Sequence, residues 1–134
     1  MVRVLQAAFW MSGILLVFPA PAGSGPAKAE LVRAVMCGAI ENYRPVTSAV
    51  VFSISQGEVF CFSEFDPVHE TTVIFHKWYK RDSLVFTMRL TLSPPKWSSF
   101  SRIQLRNEDK GPWRVEIQAE DGTLMETLRF SMAD

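Results

Sequence analysis

The feature that most constrains this chain is a two-residue alternation of apolar and polar side chains, which is the period of a strand with one face buried. Leu84, Phe86, Met88, Leu90 and Leu92 fall on one side, with Thr87, Arg89 and Thr91 on the other. Trp113, Val115, Ile117 and Ala119 alternate with Arg114, Glu116 and Gln118, which makes Trp113 a core residue. Leu124, Leu128, Phe130 and Met132 share a face that only Glu126 interrupts. Further runs rich in β-branched or aromatic residues cover Val50 to Ile54, Glu58 to Phe65, Thr71 to Tyr79 and about Phe100 to Arg106. Leu31 to Ile40 is compatible with a strand, although its small residues leave a short helix as the competing reading.

Turn chemistry separates these runs at short intervals. Gln56-Gly57, Asp66-Pro67, Arg81-Asp82-Ser83, Ser93-Pro94-Pro95 and Asp109-Lys110-Gly111 punctuate the chain, and Asp121-Gly122 predicts a tight hairpin between the last two strands. The expected fold is all-β: an antiparallel sandwich of seven or eight strands, immunoglobulin- or fibronectin-like.

The first 29 residues lie apart from this pattern. Arg3 precedes an apolar run from Val4 to Phe18, and small-residue sites follow at Ala20-Pro21-Ala22 and Ala27-Lys28-Ala29, the order of an export signal. The second site is preferred because Pro21 suits processing poorly; an uncleaved membrane anchor is the alternative, although the run is short for a spanning helix. Residues 1–29 are therefore expected to be a signal and lead-in, and residues 30–134 the sandwich, periplasmic or secreted and without a stable membrane span. Cys37 and Cys61 follow the signal, and in an oxidising compartment they can form a disulfide; the other reading is two buried thiols.

Several chemistries find little support. Fourteen basic and fourteen acidic side chains, well interspersed, give no basic stripe for nucleic acid. His69 and His76 near Asp66 and Glu70 match no metal-ligand spacing, and no cofactor is expected. No serine occupies a Gly-x-Ser-x-Gly elbow. Cys61, between Phe60 and Phe62, reads as core or disulfide rather than as a nucleophile beside His76.

The surface most suited to recognition is aromatic and basic. Trp97 follows Pro94-Pro95-Lys96 in a turn-rich connection, where it is either exposed or folded back to cap the sandwich. His76, Trp78 and Tyr79 stand among Lys77, Lys80 and Arg81. Together with Phe100, these residues (His76, Trp78, Tyr79, Trp97 and Phe100) form the candidate ligand or partner surface.

Several landmarks carry a family resemblance. They are the Tyr43-Arg44-Pro45 turn, Val59-Phe60-Cys61-Phe62, His76-Lys77-Trp78-Tyr79, Lys96-Trp97-Ser98-Ser99-Phe100-Ser101, Gly111-Pro112-Trp113-Arg114-Val115, and Asp121-Gly122 with Phe130. From Leu31 to Met132 the chain resembles the bacterial domain-of-unknown-function family 2914. The resemblance implies an extracytoplasmic, mainly β domain and brings no catalytic residues. The leading expectation is a non-catalytic exported domain that binds an envelope protein through strand edges and end loops. The alternative is a carbohydrate or cell-wall module centred on Trp97, and an enzyme using His76 comes third.

Overall fold

The computed structural model describes residues 26–134 as two β-sheets packed face to face. The expected export signal and the first of its two candidate cleavage sites lie outside the described residues. Nine strands follow in order: β1 (Ala29–Glu41), β2 (Arg44–Ser48), β3 (Val51–Ser53), β4 (Glu58–Val68), β5 (Thr72–Lys80), β6 (Ser83–Leu92), β7 (Trp97–Gln104), β8 (Gly111–Ala119) and β9 (Leu124–Ala133). Short 3-10 turns occupy Ile54–Gln56 and Asn107–Asp109. Among the described residues no helix is long and apolar enough to cross a membrane.

One sheet has the order β2-β1-β4-β7 and the other β3-β9-β8-β5-β6. The central order, β1-β4-β7 facing β9-β8-β5-β6, is that of an immunoglobulin-like sandwich. The alternation of β8 and β9 is realised as expected: Trp113, Val115, Ile117, Phe130 and Met132 are buried. Phe130 sits at the centre of an aromatic cluster, with ring centroids 6.0 Å from Trp78, 6.2 Å from Phe52 and 6.4 Å from Trp113. Gly122, with φ of 89°, turns the chain between β8 and β9.

Residues 29–41 form a strand throughout, as the strand reading of Leu31 to Ile40 expects over the competing short helix, because pairing with β4 on one side and β2 on the other satisfies their backbone. The sequence reading differs from the structure in three elements. Arg44–Ser48 is an additional strand, and the turn sits one residue earlier, at Asn42-Tyr43. β7 starts at Trp97 rather than near Phe100, since pairing with β4 extends from Glu58–Gln104 to Phe65–Trp97. β3 pairs with β9 in parallel, so the sandwich is antiparallel except at this one short ladder.

Cys37 and Cys61 are both free and buried, so the disulfide reading is corrected. The physical reason is the pleat. Cys37 lies opposite Phe60, and Cys61 lies opposite Met36, one position along the same ladder. Successive residues point to opposite faces, so Cys61 enters the main core while Cys37 packs with Phe60 and Phe62 on the outer side. Immunoglobulin domains commonly bridge the strand equivalent to β4 to the one equivalent to β8. Here β8 presents Val115 and Ile117, both fully buried, and Cys61 has no sulfur to meet. Burial raises the pKa of both thiols, leaving them protonated. The native protein should therefore resist alkylation at neutral pH and take up two labels once unfolded without reductant. Native labelling, or a requirement for reductant, would contradict this arrangement.

Candidate functional site

Three features of the fold could carry function: a polar network between the sheets, a cleft on one outer face, and an open strand edge. The network is built by an inverted strand. In β7 the inward positions Ser99 and Ser101 are buried at 6% and 1% exposure, while Phe100, which faces out, is 40% exposed. His76 and Trp78 of β5 point into the same space and are both fully buried. Trp78 Nε1 donates to Ser101 Oγ at 2.9 Å, and His76 Nδ1 lies 2.7 Å from the same oxygen. On the other side of the ring, His76 Nε2 meets Ser63 Oγ at 2.9 Å, and Ser63 meets Ser99 at 2.9 Å. A neutral imidazole satisfies this chain: Ser101 donates to Nδ1, the Nε2 proton goes to Ser63, and Ser63 donates to Ser99.

This geometry corrects the placement of His76 and Trp78 on a ligand surface. They join the sheets from inside, and the serine hydroxyls beside the imidazole are enclosed with it. Desolvation lowers the His76 pKa to about 4 from an ordinary 6.5. Between those values the unfolded chain takes up a proton that the folded chain refuses. The stability gained by burying a neutral ring is therefore full above pH 6.5 and is lost progressively as pH falls to 4, by about 3 kcal/mol. Urea unfolding across that window should show the decline, with the His76 ring resonance titrating near its low end; a flat profile would exclude a buried neutral ring. Ser101→Ala should cost about 1–3 kcal/mol by leaving two buried nitrogens short of a partner.

The remaining expected residues separate. Tyr79 is on the outer face of the five-stranded sheet, where the Arg114 guanidinium stacks 4.1 Å from its ring centroid and also bonds to Arg81 O at 2.7 Å. Phe100 packs on Phe60 at 6.0 Å on the outer face of the four-stranded sheet. Trp97, 41% exposed, lines a cleft beside that face. The five residues thus do not form one surface.

The cleft has a volume of about 530 Å³ and is lined by Asn42, Tyr43, Arg44, Phe62, Glu64, Lys96, Trp97 and Ser98. A bent hairpin makes it. Glu64 lies opposite Arg33, and the β1–β4 ladder ends at Cys37–Phe60. A straight continuation would carry Asn42 roughly 30 Å beyond Arg33. Asn42, Tyr43 and Arg44 nevertheless share a cleft with Glu64, so the far half of β1 and β2 folds back across the outer face. Gly38, the first residue past that ladder, lies opposite Thr47 in the β1–β2 hairpin, and Thr47 has a φ of 59°. Ile40 then covers Phe60 and Phe62, which explains their burial on a face that would otherwise be wet.

The hairpin tip is strained. Asn42 and Tyr43 have φ of 49° and 60°, as a two-residue turn with both central positions left-handed requires. Asparagine tolerates this, but the second position ordinarily favours glycine. A tyrosine there costs about 1–2 kcal/mol, and at 79% exposure its ring regains little by packing. Sequence reasoning placed Tyr43 in a turn without assigning it a role. The available signal was Asn-Tyr standing where Asn-Gly is normal.

The third feature is β6, which has β5 on one side and no strand on the other. Leu84, Val85 and Met88 are 52%, 50% and 38% exposed, and Arg89 is the only charge in its ten residues. The alternating pattern of this segment is real, but apart from the fully buried Leu92 its apolar residues overhang the narrower facing sheet and are exposed or half-buried. Among the described residues no group of three or more His, Cys, Asp or Glu is placed to hold a metal ion.

Fold and surface together define a small immunoglobulin-like sandwich whose accessible features are an aromatic cleft and an open edge. The model of the family described as protein of unknown function (DUF2914) matches residues 71–132, in keeping with the resemblance to it. The match is shorter than the expected Leu31 to Met132. It contains β5 to β9, including His76, Trp78, Trp97 and Ser101, and excludes the hairpin with Tyr43. No curated protein matches the chain.

Proposed function

We propose that this chain is a non-catalytic interaction domain that acts outside the cytoplasm and binds an envelope protein by accepting an extended segment along β6. The observation that carries the reading is the exposure of Leu84, Val85 and Met88 on a ten-residue edge with a single charge. Sheet edges are ordinarily shortened, charged, kinked or covered, because unpaired backbone groups invite a further strand.

β6 is regular apart from a register shift at Val85, where pairing with β5 passes from Phe86 to Leu84, and the other edges are more strongly protected. β3 has three residues, and β2 has five with Pro45 and a left-handed Thr47 among them. β7 is longer, but two of its inward positions are the serines of the buried network, so an added strand would find no continuous apolar seam there. Beside β6, a partner strand would gain ladder hydrogen bonds and cover Met88 together with the half-buried Phe86 and Leu90. Export rests on the apolar N-terminal run after Arg3.

Capture from an envelope extract should recover a stoichiometric partner with the unaltered chain. Val85→Lys with Met88→Lys should abolish that capture while leaving thermal unfolding little changed, since both side chains are already exposed. Retention of the partner by the doubly charged edge would overturn the proposal, as would its absence in both cases.

A further inference from the structure

We infer that the cleft between the β1–β2 hairpin and the start of β7 is a saccharide site, suited to a short oligosaccharide with an acidic substituent. It is separate from the β6 edge and does not depend on the interaction proposed there. Three observations point to it.

The first is Tyr43. A residue that is strained, exposed and unrewarded by packing contributes nothing to the fold that glycine would not supply better. Backbone strain of this kind concentrates where a side chain is needed for a ligand. Tyr43 lines the cleft together with Trp97, the most exposed of the tryptophans in the described residues, while Phe62 in its wall is buried. Aromatic faces of this kind suit the C–H faces of sugar rings.

The second is the polar complement. Asn42, Arg44, Glu64, Lys96 and Ser98 supply an amide, a guanidinium, a carboxylate, an ammonium and a hydroxyl around one cavity. None of the ion pairs among the described residues uses Arg44, Glu64 or Lys96. Their hydrogen-bonding capacity is spent on solvent and is available for exchange with ligand hydroxyls. Two cations against one carboxylate favour a ligand with negative charge.

The third is the closed backbone. Glu64 pairs with Ser98 and Phe65 with Trp97, so β4 and β7 are already laddered together where they border the cleft. An extended peptide would find no open ladder between them. A ligand read through side chains and stacking fits the geometry better, and the volume of about 530 Å³ is within the range of small-molecule sites.

Isothermal titration of the full chain with an oligogalacturonate, and with a cello-oligosaccharide of equal length, tests the assignment. Saturable binding of the acidic oligomer, stronger than that of the neutral one, is expected. Trp97→Ala and Tyr43→Gly should each weaken it by about tenfold or more, and Arg44→Gln should erase the preference for the acid. Tyr43→Gly should at the same time raise the urea midpoint, which separates lost binding from lost folding. The Val85→Lys, Met88→Lys edge variant should bind the oligomer normally. Absence of saturable binding by either oligomer would overturn the inference. Binding that survives Trp97→Ala and Tyr43→Gly would do so too, as would displacement of the acidic oligomer by an acidic peptide only.

Discussion

The structure depends on the hydroxyl of Ser101. It receives the Trp78 indole N–H from the opposite sheet and also meets His76 Nδ1, at 2.9 and 2.7 Å. An apolar interface between two sheets tolerates sliding, because burial has no direction. A buried indole and imidazole do not, since a displaced register would leave polar atoms without partners in a medium that penalises them. With Ser63 and Ser99 completing the chain, two strands of one sheet are fixed against one strand of the other. No buried side-chain nitrogen or oxygen is left without a partner among the described residues.

The same network shapes the outside of the molecule. Because β7 turns serines inward, period two sends Phe100 out, where it joins Phe60 and Phe62 on what should be a solvated face. Phe60 and Phe62 are covered by the bent β1–β2 hairpin, at the expense of left-handed backbone at Asn42, Tyr43 and Thr47, while Phe100 stays 40% exposed. The inverted strand, the second apolar cluster and the cleft are consequences of one another. On the opposite sheet the overhang of β6 has a simpler origin, in that the four-stranded sheet ends at β7 and the five-stranded sheet continues beyond it.

Much of the fold was legible from the sequence, and most of the surface was not. Val115 and Ile117 announce their burial because one face of β8 is uniformly apolar. Leu84 and Met88 show the same alternation but are exposed, since periodicity records which side a residue takes and not whether anything lies there. For Trp97 the preceding prolines left exposure and folding back against the sandwich both open, and the structure leaves it 41% exposed. Tyr43 and Glu64 are distant in sequence and meet only through the bend. His76 was expected near Trp78, which is correct, but their burial required knowing that the facing strand offers serines.

By itself the sequence determined the strand period, the turns and hence the all-β class, because alternation and turn chemistry are local and follow from backbone sterics. It also narrowed the two cysteines to a disulfide or a pair of buried thiols. Only the tertiary structure decided that they point to opposite faces, that a Ser-x-Ser pair lines the core, and that one edge is left open. Those outcomes depend on pairing register and sheet width. Both are set by contacts between residues far apart in the chain, which no local pattern records.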